Sequence, residues 1–279
     1  MNMSPIAQQR VSEIDLGNPR IAEVWSQLDK VCDPELDEPI TDMGFVEDVD
    51  IDGDGGVSIR FRLPTYWCSP NFAFLMATDI RLEVEKLNWV SKASVRLEDH
   101  MFEEQVNEGV NEGKSFREIF ADLAPDQGLD EIREKFRKKA FQRRQEVMVL
   151  GLRKLDFSDA HIVAMTREQF DAVRFTDEEE IRQQRRYREI ASALGLASGP
   201  GDLAFRKYDG GVIEAEGLEA YLGILRGVRI NMEFSGALCR GLLSTRYKEL
   251  DKSSDEPTLV DFILDRVPPK HAGDGGPVV

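Results

Sequence analysis

Leu63-Pro64-Thr65-Tyr66-Trp67-Cys68-Ser69-Pro70 joins two patterns that belong to different kinds of element. Before it, Val57, Ile59, Phe61 and Leu63 alternate with Ser58, Arg60 and Arg62, the period-two signature of a strand with one wet face. After it, Phe72, Leu75, Met76, Ile80, Val84 and Leu87 recur at helical spacing, which predicts a helix over 70–87. Ser69 suits the N-cap, and Pro70 suits the first turn, where a missing amide hydrogen costs nothing. Cys68 therefore precedes a helix start, whose free amides and positive dipole end favour thiolate over thiol. A thiolate there can bind a soft metal or attack an electrophile. The competing reading makes Cys68 a small buried hydrophobe.

Upstream, Ile21, Val24, Trp25, Leu28 and Val31 mark one face of a helix that Asp33-Pro34 is expected to end. The loop 35–39 follows, then a first strand over 45–51. Asp50-Ile51-Asp52-Gly53-Asp54-Gly55 imitates the opening of a calcium-binding EF-hand loop, but the twelfth position is Phe61 and the residues after it alternate as a strand. A glycine-rich hairpin turn fits better. Downstream, Ala93, Val95 and Leu97 point inward from a third strand. The unit reads α-β-β-α-β over about 80 residues: an α+β fold, a small three-stranded sheet with helices on one face, followed by a mainly α-helical region.

The chain of 279 residues is 41% hydrophobic and can bury a substantial core. No apolar run reaches the ~20 residues that span a bilayer, and no signal-peptide core is found, so a cytoplasmic protein without membrane association is expected. The net charge of -16 opposes a nucleic-acid partner. The first hundred residues hold 19 Asp and Glu against 9 Lys and Arg, a surface unlike that of the remainder. The cysteines, Cys32, Cys68 and Cys239, are too few and too scattered for a disulfide framework or a four-cysteine cluster site within one chain.

Beyond residue 99, His100 and Glu104 would share a helical face, an arrangement some metal ligands use, although a solvated helix start is the plainer reading. Gly109 to Ser115 imitates a P-loop with one residue too few between its glycines and acidic sequence where a strand should precede it. A short helix at Phe116, Ile119, Phe120 and Leu123 is expected to stop at Pro125. A longer one follows from Leu129 to Leu150, basic over 135–144. Thr166 with Gln169 and Thr176 with Glu179 form capping-box patterns. The charged stretch 177–193 reads as a surface helix. Helical periodicity resumes over 217–225 and 231–250, and a last helix is expected over 258–267.

Asp33-Pro34-Glu35, Ile40-Thr41-Asp42-Met43-Gly44-Phe45-Val46 and Thr65-Tyr66-Trp67-Cys68-Ser69-Pro70, in this order, resemble the iron-sulfur assembly family that includes SufT and the PaaD proteins of phenylacetyl-CoA oxygenase clusters. The resemblance covers residues 20–99. It implies a small, often dimeric α+β domain that helps mature iron enzymes rather than turning over a substrate. It places the family's key cysteine on Cys68 and the site rim on Thr65, Asp33 and Glu35, and the neighbouring Tyr66, Trp67 and Ser69 are expected to complete that rim, the two rings making it unusually aromatic. Ser69 departs from relatives that carry proline directly after the cysteine, and the region after residue 100 has no counterpart in the short relatives.

The expected organisation is a leader (1–19), the assembly-like domain (20–99), a helical client-binding region (100–267) and a tail (268–279). The favoured function is a metalloenzyme maturation factor in which Cys68 transiently holds iron or an iron-sulfur cluster, with no tightly bound cofactor. Its partners would be a second copy of the chain and a client metalloenzyme, by analogy an iron-dependent oxygenase. One alternative is a docking subunit with an inert Cys68. Another is a thiol enzyme using Cys68 as nucleophile, for which His100, His161 and His271 are the only histidines on offer as base.

Overall fold

A computed structural model describes residues 18–122 and 129–247. The leader up to residue 17, the expected stop at Pro125, the expected helix over 258–267 and the tail lie outside the described residues.

The first helix, α1 (Pro19–Leu28), is capped by Asn18, whose side chain accepts the Arg20 amide at 3.0 Å, and it buries Val24 and Leu28. It ends at Leu28, five residues ahead of the Asp33-Pro34 stop that the sequence suggests. The intervening Val31 and Cys32 run extended: the Val31 carbonyl accepts from the Ile40 amide, and Cys32 bridges to Pro39. Between them the chain turns back through a tight loop whose nucleus is Asp33. Its Oδ1 accepts the amides of Glu35 and Leu36, both at 2.9 Å, and Asp37 takes the left-handed conformation at φ 55°.

A single turn of helix, α2 (Ile40–Met43), leads into strand β1 (Val46–Ile51), which pairs antiparallel with β2 (Gly56–Arg62). The connecting turn is the hairpin expected in place of a calcium loop. The Asp52 carboxylate accepts the amides of Asp54 and Gly56, and Gly55 sits at φ 81°, where an added Cβ would lie 2.6 Å from the Trp89 carbonyl. Helix α3 (Pro70–Val84) crosses over so that β3 (Lys92–Glu98) pairs parallel with β2, giving the order β1-β2-β3. Val57, Ile59, Phe61, Ala93, Val95 and Leu97 face the helices and are buried together with Ala73, Met76, Ala77 and Ile80. The fold is the α-β-β-α-β unit expected from the alternation.

Helix α4 (Glu103–Asn111) closes the free side of β3 in an unusual way. Asn107 accepts the Leu97 amide at 2.7 Å and donates to the Leu97 carbonyl at 2.9 Å; Asn111 does the same to Val95, both at 2.8 Å. Two amide side chains one turn apart thus take the place of a neighbouring strand. The P-loop look-alike is the end of α4 and the capping box of α5 (Phe116–Ile119), in which Ser115 and Glu118 cap each other.

The helical region is built on α6 (Leu129–Lys154), with α7 (Asp159–Ala164), α8 (Arg167–Ala172), α9 (Glu178–Ala193) and α10 (Leu218–Tyr247). A second hydrophobic cluster joins Phe141, Met148, Leu152, Phe170, Tyr187, Phe205, Leu218, Leu222 and Leu225. Thr166 caps α8 as expected, whereas α9 is capped by Asp177 rather than Thr176, its side chain accepting the Glu180 amide. Nor is α9 a surface helix. It packs against α6 and buries Glu180, Gln183, Arg186 and Tyr187, while Ile181 stays exposed. The stretches 217–225 and 231–250 are not two helices but one, α10, which runs unbroken to Tyr247. Its inward seam is Leu218, Leu222, Leu225, Arg229, Met232, Gly236, Cys239, Leu243 and Arg246, alternating steps of four and three. Arg229 holds the middle of that seam through the buried carboxylate of Glu146 at 2.9 Å.

Three helices of this region grip the acidic loop of the first unit with arginines. Arg144 bonds Asp37 through two nitrogens and donates to the Arg186 carbonyl at 3.0 Å. Arg182 meets Asp42 at 2.9 Å, Arg186 donates to the Asp37 carbonyl at 3.3 Å and to Cys32 Sγ at 3.0 Å, and Arg240 meets Glu38 at 2.5 Å. The charge asymmetry between the halves of the chain is in part an internal fit.

Candidate functional site

Cys68 lies in the turn between β2 and α3. Its amide donates to the Thr65 carbonyl at 3.4 Å, and its Sγ is 3.3 Å from Thr65 Oγ1. The sulfur is half-buried at the edge of the first core, ahead of Pro70 at the start of α3. Ser69 occupies the N-cap position, but its side chain makes no capping bond; its carbonyl accepts the amides of Phe72 and Ala73. The amides of the first turn therefore have no side-chain cap. Beside the sulfur, Tyr66 and Trp67 project outward edge-to-face, 43% and 74% exposed.

His100 is not on a helix with Glu104. It precedes α4 in a buried turn, after Asp99 at φ 58°, and both its ring nitrogens are engaged. Nε2 donates to the Cys68 carbonyl at 2.9 Å, and Nδ1 accepts the Phe102 amide at 3.2 Å. That pattern needs the neutral ring, and burial lowers its pKa in keeping. Glu104 is exposed. The shared helical face expected for the two does not form, and His100 instead pins the backbone that carries the thiol.

Asp33 and Glu35 sit in the loop gripped by the arginines. Burial pushes the Asp33 carboxyl up to about 6, against the lowering by the Leu36 and Glu35 amides. Cys32, behind this loop, is pushed up to about 11 by burial, with Arg186 opposing.

A third thiol joins the neighbourhood. Cys239, on the inward seam of α10, packs against the first core, as Cys68 does. One residue on, Arg240 bonds Glu38 and reaches Met43 Sδ at 3.5 Å; two turns on, Arg246 donates to the Leu63 carbonyl at 3.3 Å and the Asp99 carbonyl at 2.8 Å. Cys239 therefore lies between the Asp33 loop and the turn that holds Cys68. Burial first, then the charges of Asp33, Cys68 and Glu35, push its thiol up to about 12. Sequence reading passed over it because it sits 171 positions from Cys68; the signal available was its place in the four-three seam of α10. Among the described residues, no three Cys, His, Asp or Glu side chains stand close enough to hold a metal ion by themselves.

Fold and site define a small α+β unit with a thiol at a helix mouth, extended by a helical region that docks on the thiol's own surroundings. The family model described as iron-sulfur cluster assembly protein matches residues 21–96. An uncharacterized protein of Methanocaldococcus jannaschii is 33% identical over 86 residues, 31% of this chain and 88% of that protein. No solved structure matches. The chain belongs to the iron-sulfur cluster assembly family through this N-terminal unit, and the helical region lies beyond the match.

Proposed function

We propose that the protein is an accessory factor that delivers iron, alone or as an iron-sulfur cluster, to a client metalloenzyme, with Cys68 as the atom that holds the cargo in transit. The observation that carries this reading is the coincidence of the family match with a half-buried thiol beside the uncapped helix mouth of α3. A sulfur that is reachable yet backed by few other donors suits hand-over better than storage, since tight capture would recruit several thiolates. Trp67 and Tyr66 form an exposed aromatic lip for a docking client, and aromatic side chains dominate binding energy at such contacts. The helical extension gives the client a second foothold through Ile230, Phe234, Leu238 and Leu242, all exposed on one side of α10. By association with the PaaD setting, an iron-dependent oxygenase is the client we favour. The thiol-enzyme alternative finds no support in His100, whose ring engages the Cys68 backbone and the Phe102 amide rather than the sulfur.

Anaerobic incubation with ferrous iron and sulfide, read by absorbance and iron content, tests the reading. Wild type is expected to take up iron and Cys68→Ala to lose most of it; equal uptake by the two overturns it.

A further inference from the structure

On its outward side α10 carries Ile230, Phe234, Leu238 and Leu242 at steps of four, one row along the helix, with Phe234 69% exposed. Ala237 and Gly241 lie exposed beside the row, and a Cβ added at Gly241 would meet nothing within 4 Å, so another backbone has room to come close. Between Ile230 and Leu242, Glu233 is the one exposed charged residue. A helix face made to meet water is polar, and a contiguous apolar stripe marks a contact surface.

The chain runs on past Tyr247, the last described residue of α10. After the polar stretch 248–257 the sequence reads Thr258-Leu259-Val260-Asp261-Phe262-Ile263-Leu264-Asp265-Arg266-Val267. Thr258 with Asp261 is a helix-start pattern and Pro268 a stop, while Leu259, Val260, Ile263 and Val267 share a helical face opposite Asp261 and Asp265. A helix so patterned needs an apolar surface to lie on. Over 259–267 it would be about 14 Å long, against about 12 Å from Phe234 to Leu242. As a flexible coil the link 248–257 reaches about 17 Å, enough to cross the interaxial gap and start an antiparallel helix beside Leu242.

We infer that residues 259–267 of the same chain occupy the outward face of α10, lying antiparallel on Leu242, Leu238 and Phe234. The link decides against a second copy as the occupant, because a short tether holds the segment at an effective concentration in the millimolar range, far above that of a protein in micromolar solution. The inference stands apart from the cargo proposed for Cys68. It adds a condition to the client's second foothold: in the free protein that face is covered, and a client reaches it by displacing the segment.

The test replaces Phe234, in the full chain, with the photocrosslinking analogue p-benzoylphenylalanine. The protein is irradiated at micromolar concentration and the links are mapped by mass spectrometry. Links to residues 259–267 within a single chain are expected. Ile263→Asp should cut their yield at least about tenfold, since an aspartate there would have to be buried unpaired, and Asp265→Asn on the polar face should leave it unchanged. Links joining two copies, links confined to other parts of the chain, no link at all, or a yield indifferent to Ile263→Asp each overturn the inference. Hydrogen exchange gives a second measure on the unmodified protein: the amides of 260–267 are expected to exchange at least about tenfold more slowly than in a synthetic peptide of the same sequence, and equal rates overturn it. Neither measurement reads iron uptake, so a negative result leaves the proposed function standing.

Discussion

Arg144→Met is expected to destabilise the protein by about 3–5 kcal/mol, because it leaves Asp37 charged and buried without its partner. The pair is closed off from solvent, with side chains only 9% and 10% exposed. The guanidinium spends two nitrogens on Asp37 and a third on the Arg186 carbonyl, whereas Arg186 reaches Asp37 only at its backbone carbonyl, at 3.3 Å, and leaves the carboxylate to Arg144. At an effective dielectric of about 20, unit charges 4 Å apart attract by about 4 kcal/mol, the same order as the expected loss. For a chain of this size that corresponds to a fall in melting temperature of about 5–9 °C. The control is Arg133→Met, which breaks an ion pair to Asp79 of comparable geometry but 44% and 31% exposed, and should cost less than about 1 kcal/mol. Adding Asp37→Asn to Arg144→Met removes the stranded charge at a position whose φ of 55° asparagine tolerates, and should restore most of the loss. Urea unfolding of the four proteins decides the matter. A cost for Arg144→Met no larger than for Arg133→Met, or a double variant as weak as the single one, refutes the reasoning.

Gly55→Ala places a methyl at φ 81° and 2.6 Å from the Trp89 carbonyl, so a loss of about 1–3 kcal/mol is expected in thermal unfolding; an unchanged midpoint would mean the hairpin is not held there. For Asp33 the folded pKa of about 6 lies above the ordinary 3.8, so the contribution of this carboxyl to stability is fully present below pH 3.8 and is lost as pH rises through 6. Asp33→Asn retains an Oδ1 for the two amides and escapes that loss. Its advantage over wild type should grow from near nothing at pH 4 to the order of 3 kcal/mol at pH 7.5, and equal urea midpoints at the higher pH would refute it. Trp67→Ser, at a side chain 74% exposed, should move the melting temperature by no more than about 2 °C, whereas a larger drop would assign the ring to packing.

The sheet unit was legible because its signals are local. Val57 to Leu63 and Ala93 to Leu97 alternate cleanly, Asp52 to Gly55 announces its turn, and α3 is apolar at the right spacing. The helical region was harder because its interior is partly polar. Arg144, Gln145, Glu146, Glu180, Gln183 and Arg186 are buried and bond either the first unit, as Arg144 and Arg186 do at Asp37, or groups elsewhere in the helical region such as Tyr187, Arg229 and Lys154, so a count of apolar periodicity places α9 at the surface and breaks α10 at Arg229. At the site, the Thr65 to Ser69 turn could be read ahead of the structure, since it belongs to one stretch of chain. The roles of His100 and Cys239 depend on which turns meet in space. His100 looks like a helical ligand until its two nitrogens are seen to be occupied, and Cys239 has no partner in its own neighbourhood of sequence.

The amide ladder of Asn107 and Asn111 bears on how copies of this chain could associate. An outer strand ordinarily offers its backbone to any passing chain, and β3 is such a strand, but the bonds it would lend at Val95 and Leu97 are already spent on α4. Two protomers cannot fuse their sheets edge to edge along this flank without prising off a helix, so a pair would have to meet through side chains, and strand-templated aggregation is blunted at the same stroke.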